Sequence, residues 1–142
     1  MVELGDEKVL YAFDKTLEPA LVVPSGTTVR VRTKDCFGNQ VQRPEDELDE
    51  IDWDHINPAT GPIFVESAVP GGALKVTIEA IEFDGQTASC TGEGEGVCGD
   101  RFDAWSTHLC KIDGDELVWD ETLRIPLRPM IGVIGVAPAG EP

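Results

Sequence analysis

The chain has 142 residues, of which 27 are acidic and 11 are basic, so its formal net charge at pH 7 is −16. Nucleic acids and anionic membranes are bound by clustered Lys and Arg, and this charge balance therefore excludes both as partners. No apolar run approaches the roughly 20 residues that span a bilayer, and residues 1–7 lack the basic-then-apolar order of a secretory signal. The sequence predicts one cytoplasmic domain.

Turn-forming residues punctuate the whole chain, with 15 Gly and 10 Pro, and few windows keep a helical period for three turns. Residues 27–33 instead alternate apolar and polar side chains. Val29 and Val31 would face one side of a strand, and Arg30 and Arg32 would face the other. This pattern predicts an all-β protein with little helix.

In chain order, strands are predicted at residues 8–13, 20–23, 27–33, 63–65, 74–78, 116–119 and 123–127, and a further strand ends near residue 112. Turns are predicted at 84–85 and 113–115. The acidic stretch 42–54 allows either a short surface helix, which Pro44 could begin, or an acidic loop. Residues 86–99 are poor in apolar side chains, and they predict a long mobile loop. The run 130–137 is short and broken by glycines, which predicts a buried strand.

The four cysteines are Cys36, Cys90, Cys98 and Cys110, and no two of them form a C-x-x-C pair. This spacing excludes zinc-ribbon and thioredoxin-type motifs. Two interpretations of the cysteines stay open. The cysteines are four reduced thiols of a cytosolic protein, or Cys98, His108 and Cys110 hold a metal ion.

Four segments, in order over the whole chain, carry motifs of one enzyme family. Residues 23–40 contain VPSGTTV and TKDCFGNQ, residues 57–66 read NPATGPIFVE, residues 68–76 read AVPGGALKV, and residues 125–138 read IPLRPMIGVIGVAP. Together they resemble the acetamidase/formamidase family. In that family a Pro-Gly-acid turn precedes a strand, Asp-Cys precedes a Gly turn, Asn-Pro precedes Gly-Pro, and repeated Ile-Gly precedes Ala-Pro.

The chain departs from the family pattern in sequence and in length. Ser25-Gly26 and Gly71-Gly72 replace two Pro-Gly-acid turns, and Ser67 stands where the family has Gly. The resemblance covers the first half of the family's length, without the His-Gly-Gly-Asn and Gly-Asp-x-His-Ala motifs of the second half. We therefore expect a chain whose site is completed by a second half or subunit, or a truncated or repurposed half-domain with a binding or structural role.

The resemblance implies a β-sandwich or jelly-roll-like domain over residues 1–142, with at most one or two short helices. The implied activity is hydrolysis of short linear amides, such as formamide or acetamide, to carboxylate and ammonia. The implied partners are a small amide substrate and either further copies of this chain or a complementary C-terminal half. A divalent metal, zinc or calcium, would fit because carboxylates outnumber the other candidate ligands.

Three polar residues are the candidate catalytic groups. Asp35 opens a Gly-containing turn after an amphipathic strand, where it would act as a catalytic group or metal ligand, or only cap an Asx-turn. Glu66 follows the strand at 63–65 and is the second candidate catalytic group and metal ligand, or it has only a structural role. Gln40 could donate a hydrogen bond to a substrate carbonyl or only hold its own turn.

Two further residues are candidates for substrate binding. Asn57 could contact the substrate or anchor its own loop. Cys36 could bind substrate, act as a nucleophile with Lys34 and Glu66, or be a buried small residue. His55 lies in the acidic segment beside the Asn57 loop, where a structural role is favoured over a role in the site.

Overall fold

A computed structural model describes residues 1–83 and 85–140, and its regular structure is almost all β. The strands in this part are β1 (Val2–Leu4), β2 (Val9–Leu10), β3 (Leu21–Val23), β4 (Val29–Val31), β5 (Ala59–Thr60), β6 (Ile63–Val65), β7 (Gln86–Thr91), β8 (Ser106–Asp113), β9 (Glu116–Val118) and β10 (Arg124–Pro126). Its helices are two 3-10 helices, Trp53–His55 and Gly99–Arg101. The prediction of an all-β fold with at most one or two short helices is confirmed. Over the same residues, no helix has the length and apolar character needed to cross a membrane.

The chain divides into two compact units. Unit 1 contains Met1–Gly38, Asp54–Ile78 and the described residues from Ile131 onward, and unit 2 contains Asn39–Trp53 and Glu79–Met130. Both units are assembled from separated stretches of chain. The prediction of a single domain over residues 1–142 stays a prediction.

Unit 1 is built from pairs of short strands. β1 pairs with β4 and β3 with β6, both in parallel, while β2 and β5 are antiparallel. Each of these sheets has two strands within the part of the chain described, so every strand in unit 1 has one paired edge and one open edge. Isolated two-stranded sheets are marginally stable, and open edges are sites where further strands add.

Unit 2 contains one antiparallel sheet of four strands, in the order β10-β9-β8-β7. The predicted turn at 113–115 is confirmed, because Gly114 connects β8 to β9 with a positive φ of 60°. The loop predicted from residue 86 is wrong over Gln86–Thr91, which pair with β8 along their whole length. Backbone pairing needs no apolar side chains, so a polar edge strand escapes a hydrophobicity pattern. The first residue of the turn predicted at 84–85 lies outside the described residues.

Other predicted elements take a different form in the structure. Residues 74–78 and 130–137 are not strands, and their large apolar side chains are exposed rather than buried. The amphipathic patterns are real, but neither stretch has a pairing partner among residues 1–83 and 85–140. Of the two forms open for residues 42–54, the acidic loop is the one observed, followed by the 3-10 helix at Trp53–His55.

The buried apolar core is small. Among the described side chains, the buried hydrophobic ones are Val23 in unit 1 and Val41, Leu48 and Cys110 in unit 2. Val41 directly precedes the acidic loop, and Leu48 lies within it. Nearby, the indole N–H of Trp53 donates to the Leu48 carbonyl at 2.8 Å.

Asp46 organises the acidic loop. Its Oδ2 accepts the backbone N–H groups of Gln42 and Arg43, each at 2.8 Å, and its Oδ1 accepts the Arg43 guanidinium at 2.6 Å. Its carbonyl also accepts the Thr107 hydroxyl of β8 at 3.1 Å. Hydrogen bonds from the Arg43 side chain, and then from the two backbone N–H groups, lower the pKa of Asp46 to about 2.

Replacing Asp46 tests this organisation. The native pKa of Asp46 lies below its unfolded value, so ionised Asp46 contributes stability above about pH 4, and this contribution is lost as the pH falls toward 2. We expect Asp46→Asn to lower the free energy of unfolding at pH 7, and the difference from the parent chain to close between about pH 4 and pH 2. Urea unfolding across this range measures the effect, with exposed Asp49→Asn as the control. A difference that is the same at pH 7 and pH 2 would contradict the assignment.

Gly135 allows the C-terminal apolar run to approach Phe13 within unit 1. A Cβ at Gly135 would lie 2.8 Å from the Phe13 ring, whereas a Cβ at Gly132 would meet no atom within 4 Å. The Lys15 ammonium also donates to the carbonyls of Ala139 and Gly140. The run is therefore held on one side even though its large apolar side chains are exposed.

The two glycines form a matched pair of test positions. We expect Gly135→Ala to destabilise the chain by about 1–3 kcal/mol, because the new methyl group overpacks against the Phe13 ring. Gly132→Ala should be neutral or stabilise by up to about 1 kcal/mol through the unfolded chain. Thermal or urea unfolding of the two variants compares them directly, and equal effects would show that the Phe13 contact is not formed.

Candidate functional site

Asp35 opens a tight turn a few residues after β4. Its Oδ1 accepts the backbone N–H of Phe37 at 2.9 Å, and its carbonyl accepts the N–H of Gly38 at 3.0 Å. This is the Asx-turn that the residue type favours. Asp35 and Cys36 are both exposed, so the turn presents a carboxylate and a thiol at the surface of unit 1. The interpretation of Cys36 as a buried small residue is therefore wrong.

The Asn57 loop is tied to this turn. The backbone N–H of Asn57 donates to the Cys36 carbonyl at 2.7 Å. Asn57 adopts a left-handed φ of 53°, which Asn tolerates better than most residues. The structure thus brings together two of the candidate residues that lie far apart in the sequence, and their contact is made by the backbone.

An aromatic contact lies beside the Asn57 loop. The rings of Tyr11 and His55 meet edge to face, with centroids 4.8 Å apart and an interplanar angle of 79°. Tyr11 and Pro62 also line a cleft of about 260 Å³ in unit 1, together with residues of β2. Tyr11 could not be identified from sequence patterns, because only the fold places it against His55.

Glu66 extends from the end of β6. Its backbone N–H donates to the carbonyl of buried Val23 at 2.8 Å, which fixes the start of its side chain, and the residue is exposed. The next residue, Ser67, has a left-handed φ of 65°, and its hydroxyl donates to the Glu66 carbonyl. The turn after Glu66 therefore needs a backbone conformation that glycine adopts without cost.

Gln40 belongs to unit 2. The nitrogen and the oxygen of its side-chain amide both form hydrogen bonds with the backbone of Asp52. The Nε2 donates to the Asp52 carbonyl at 3.2 Å, and the Oε1 accepts the Asp52 backbone N–H at 2.8 Å. This pair closes the acidic loop by joining its two ends. In this structure the Gln40 side chain is a loop clamp.

Metal ligands are not grouped in the part of the chain that the structure covers. Across residues 1–83 and 85–140, no three His, Cys, Asp or Glu side chains lie close enough together to hold an ion. In unit 2, His108 stacks on Trp119 at 4.3 Å, and its Nε2–H donates to the Trp119 carbonyl at 2.7 Å. Cys110 is buried, and burial raises the pKa of its thiol. Cys98, His108 and Cys110 do not form a group of metal ligands among the described residues.

Ser67 provides a test of the turn that carries Glu66. A left-handed non-glycine residue costs about 1–2 kcal/mol, so we expect Ser67→Gly to stabilise the chain by about 1 kcal/mol. Ser25 lies in another turn and has no positive φ, so Ser25→Gly should destabilise by about 0.5–1 kcal/mol. Chemical unfolding of both variants measures the difference. Destabilisation by Ser67→Gly would mean that the strained turn is absent.

Comparison with known proteins gives a consistent result. The sequence model of the acetamidase/formamidase family matches residues 5–141. No curated protein matches the chain.

Solved structures show the same similarity. The chain is 45% identical to a predicted acetamidase/formamidase from the thermophile Thermoanaerobacter tengcongensis, with a TM-score of 0.89 over 96% of this chain and 46% of that one. It is 38% identical to the acetamidase from Bacillus halodurans, with a TM-score of 0.85 over 99% of this chain and 48% of that one. An acetamidase from Yersinia enterocolitica shares the fold at 17% identity and a TM-score of 0.62, over 88% of this chain and 43% of that one. The chain therefore spans about half the length of these relatives.

Proposed function

The chain belongs to the acetamidase/formamidase family, and from this membership we propose that it takes part in hydrolysing short linear amides to carboxylate and ammonia. The family match over residues 5–141 is the observation that carries the proposal. Formamide and acetamide are the substrates proposed, in line with the family's name.

We propose that a second polypeptide completes the site. The chain spans 46–48% of the length of two relatives that are 45% and 38% identical to it, so half of each relative has no counterpart here. In this chain the candidate residues of unit 1 lie on exposed turns. Catalysis gains from exclusion of water, which exposed turns do not provide.

Two carboxylates are proposed to act in the hydrolysis, one in proton transfer and one in orienting the attacking group. Amide hydrolysis needs an activated nucleophile, a polarised carbonyl and a proton for the leaving amine. Glu66, fixed at the end of β6, is proposed to accept and return a proton. Asp35, whose Oδ1 is held by the Phe37 N–H, is proposed to orient the attacking group.

The remaining candidates are proposed to bind or position. Cys36 and Asn57 share a backbone hydrogen bond of 2.7 Å and are proposed to contact the amide substrate. Gln40 can donate to a substrate carbonyl only after its amide leaves Asp52. We therefore propose it as a positioning residue that keeps the acidic loop closed.

A divalent cation, zinc or calcium, is proposed only if the second polypeptide supplies some of its ligands. The side chains covered by the structure form no group of three ligands, and we therefore propose that the second polypeptide supplies the remaining ones. Asp35 and Glu66 would each supply one carboxylate. The proton transfer proposed for Glu66 and the orienting role proposed for Asp35 do not depend on the cation.

A non-catalytic role is the second candidate. Asp35 forms an Asx-turn, and Gln40 joins the two ends of the acidic loop. Both residues therefore have structural roles, which favours this candidate. In that case the chain would be a half-domain with a binding or structural role.

Ammonia release from formamide and acetamide separates the two candidates. We expect turnover when the chain is combined with the unmatched half of the Thermoanaerobacter tengcongensis relative, and little or none from the chain alone. Glu66→Gln should lower kcat by at least about 100-fold, as loss of a general acid–base group does. The exposed control Glu18→Gln should stay within about twofold. Absence of turnover in the combination would favour the non-catalytic role, and an unchanged kcat for Glu66→Gln would remove Glu66 from the mechanism.

A further inference from the structure

Two tryptophans of unit 2 form an aromatic pair at the surface. Trp53 lies near the end of the acidic loop, and Trp105 ends the segment 92–105 between β7 and β8, which we call the Trp105 loop. The centroids of the two rings are 6.2 Å apart, and the rings are tilted by 41°. Trp53 is 46% exposed, so part of its indole is open to solvent. Tryptophan is enriched where proteins bind partners, and an exposed one identifies a candidate contact.

Both rings are held in place within unit 2. The indole N–H of Trp53 donates to the carbonyl of buried Leu48 at 2.8 Å. The Trp105 ring lies directly against Gly92, where the Cβ of any other residue would overlap the ring. A ring that is already fixed loses little conformational freedom when a partner binds to it.

The two loops that carry these rings are joined by hydrogen bonds. The Thr107 hydroxyl of β8 donates to the Asp46 carbonyl at 3.1 Å, and the side-chain amide of Gln86 in β7 donates to the Gln42 carbonyl at 3.1 Å. These bonds connect the strands on both sides of the Trp105 loop to the acidic loop. The aromatic pair is therefore a fixed contact between two stretches that are far apart in the sequence.

Both loops are strongly acidic. Unit 2 has 18 acidic and 5 basic residues, so it carries −13 of the chain's formal net charge of −16. Residues 42–53 and 92–105 contain ten of these acidic residues and two arginines. Except for Asp46, which is paired with Arg43, the acidic residues of the two loops are exposed: Glu45, Glu47, Asp49, Glu50, Asp52, Glu93, Glu95, Asp100 and Asp103. The loops that present the aromatic pair therefore attract cationic partners.

We propose that the aromatic pair and the two acidic loops form a docking surface for a basic segment of a partner polypeptide, in which an Arg side chain stacks on the open part of the Trp53 ring. The face of an indole attracts cations. A planar guanidinium both stacks on an aromatic ring and forms paired hydrogen bonds with a carboxylate, and an exposed ring between acidic loops offers both contacts. This inference does not depend on the proposed amide hydrolysis.

Charge selects a basic polypeptide over other occupants. A second copy of the chain would bring two charges of −16 together, and their repulsion would oppose the contact. A small organic cation is bound best by an enclosed pocket, whereas Trp53 does not line the cleft of about 320 Å³ in unit 2. The exposed carboxylates extend over two loops, so a segment with several basic side chains can pair with more of them than one small ion can.

Fluorescence anisotropy of labelled peptides measures the binding. A short peptide of alternating Arg and Gly is titrated with the chain at low salt, beside a Lys–Gly peptide of the same length and charge. We expect the Arg peptide to bind at least about threefold more tightly, because guanidinium stacks on indole and pairs with carboxylates better than ammonium does. Binding of both peptides should weaken as salt is added.

Variants of the chain separate the aromatic contact from general attraction to its charge. Trp53→Leu should weaken binding of the Arg peptide about three- to tenfold, whereas Trp53→Phe, which keeps a ring, should weaken it less. The double variant Asp49→Asn with Glu50→Gln should weaken binding at least about threefold. The control, Asp115→Asn with Glu121→Gln, removes two exposed charges of unit 2 outside both loops and should change binding less than about twofold.

Trp53 also bonds to Leu48, so far-ultraviolet circular dichroism establishes that each variant is folded before binding is measured. If Trp53→Leu does not fold, the comparison of the two peptides and of the two double variants decides the question. Equal binding of the Arg and Lys peptides, no binding of either, or equal weakening by the two double variants would overturn the proposal. Displacement of the Arg peptide by tetramethylammonium chloride, at an ionic strength where sodium chloride leaves it bound, would overturn it in favour of a small-cation site.

Discussion

Burial of apolar surface is the constraint on which this structure depends, because it is only partly met within the chain. Across residues 1–83 and 85–140, the side chains that form the buried hydrophobic core are Val23, Val41, Leu48 and Cys110. The hydrophobic effect supplies most of the free energy that offsets chain entropy, so four buried side chains are few for a chain of 142 residues. In the two-stranded sheets of unit 1, strand pairing is also incomplete, since each strand has one paired edge and one open edge. The second polypeptide proposed to complete the site would offset both deficits.

Carboxylates in this chain stabilise turns through local hydrogen bonds. Asp14, Asp35 and Asp120 each accept the backbone N–H two residues later through Oδ1, and Asp46 accepts two backbone N–H groups through Oδ2. Such bonds replace the backbone pairing that a loop lacks, and they need an acceptor rather than a cation. They also lower the pKa of Asp14 and of Asp120, chiefly through hydrogen bonds from Thr16 and from Thr122. Part of the acidic composition therefore has a structural cause that is independent of catalysis.

The sequence predicted the features that depend on local patterns. The strands near Val29 and Ile63 and the hairpin turn at Gly114 follow from alternation and turn chemistry, and they are present. The strand Gln86–Thr91 was missed because its pairing is made by backbone groups, which leave no mark on hydrophobicity. Residues 74–78 were predicted as a strand from a correct pattern, but pairing needs a partner that residues 1–83 and 85–140 do not provide. At the site, the Asx-turn of Asp35 could be anticipated from its residue type, whereas the contact between Tyr11 and His55 depends on the tertiary fold.

The most direct test is whether the stability of the chain depends on a second polypeptide. Urea unfolding of the chain, followed by tryptophan fluorescence, can be measured at increasing concentrations of the unmatched half of a family relative. A partner that binds the folded chain and not the unfolded one raises the free energy of unfolding by mass action. We therefore expect the unfolding midpoint to rise steadily with the concentration of that half. A midpoint that stays constant across concentrations would contradict the proposal that a second polypeptide completes this chain.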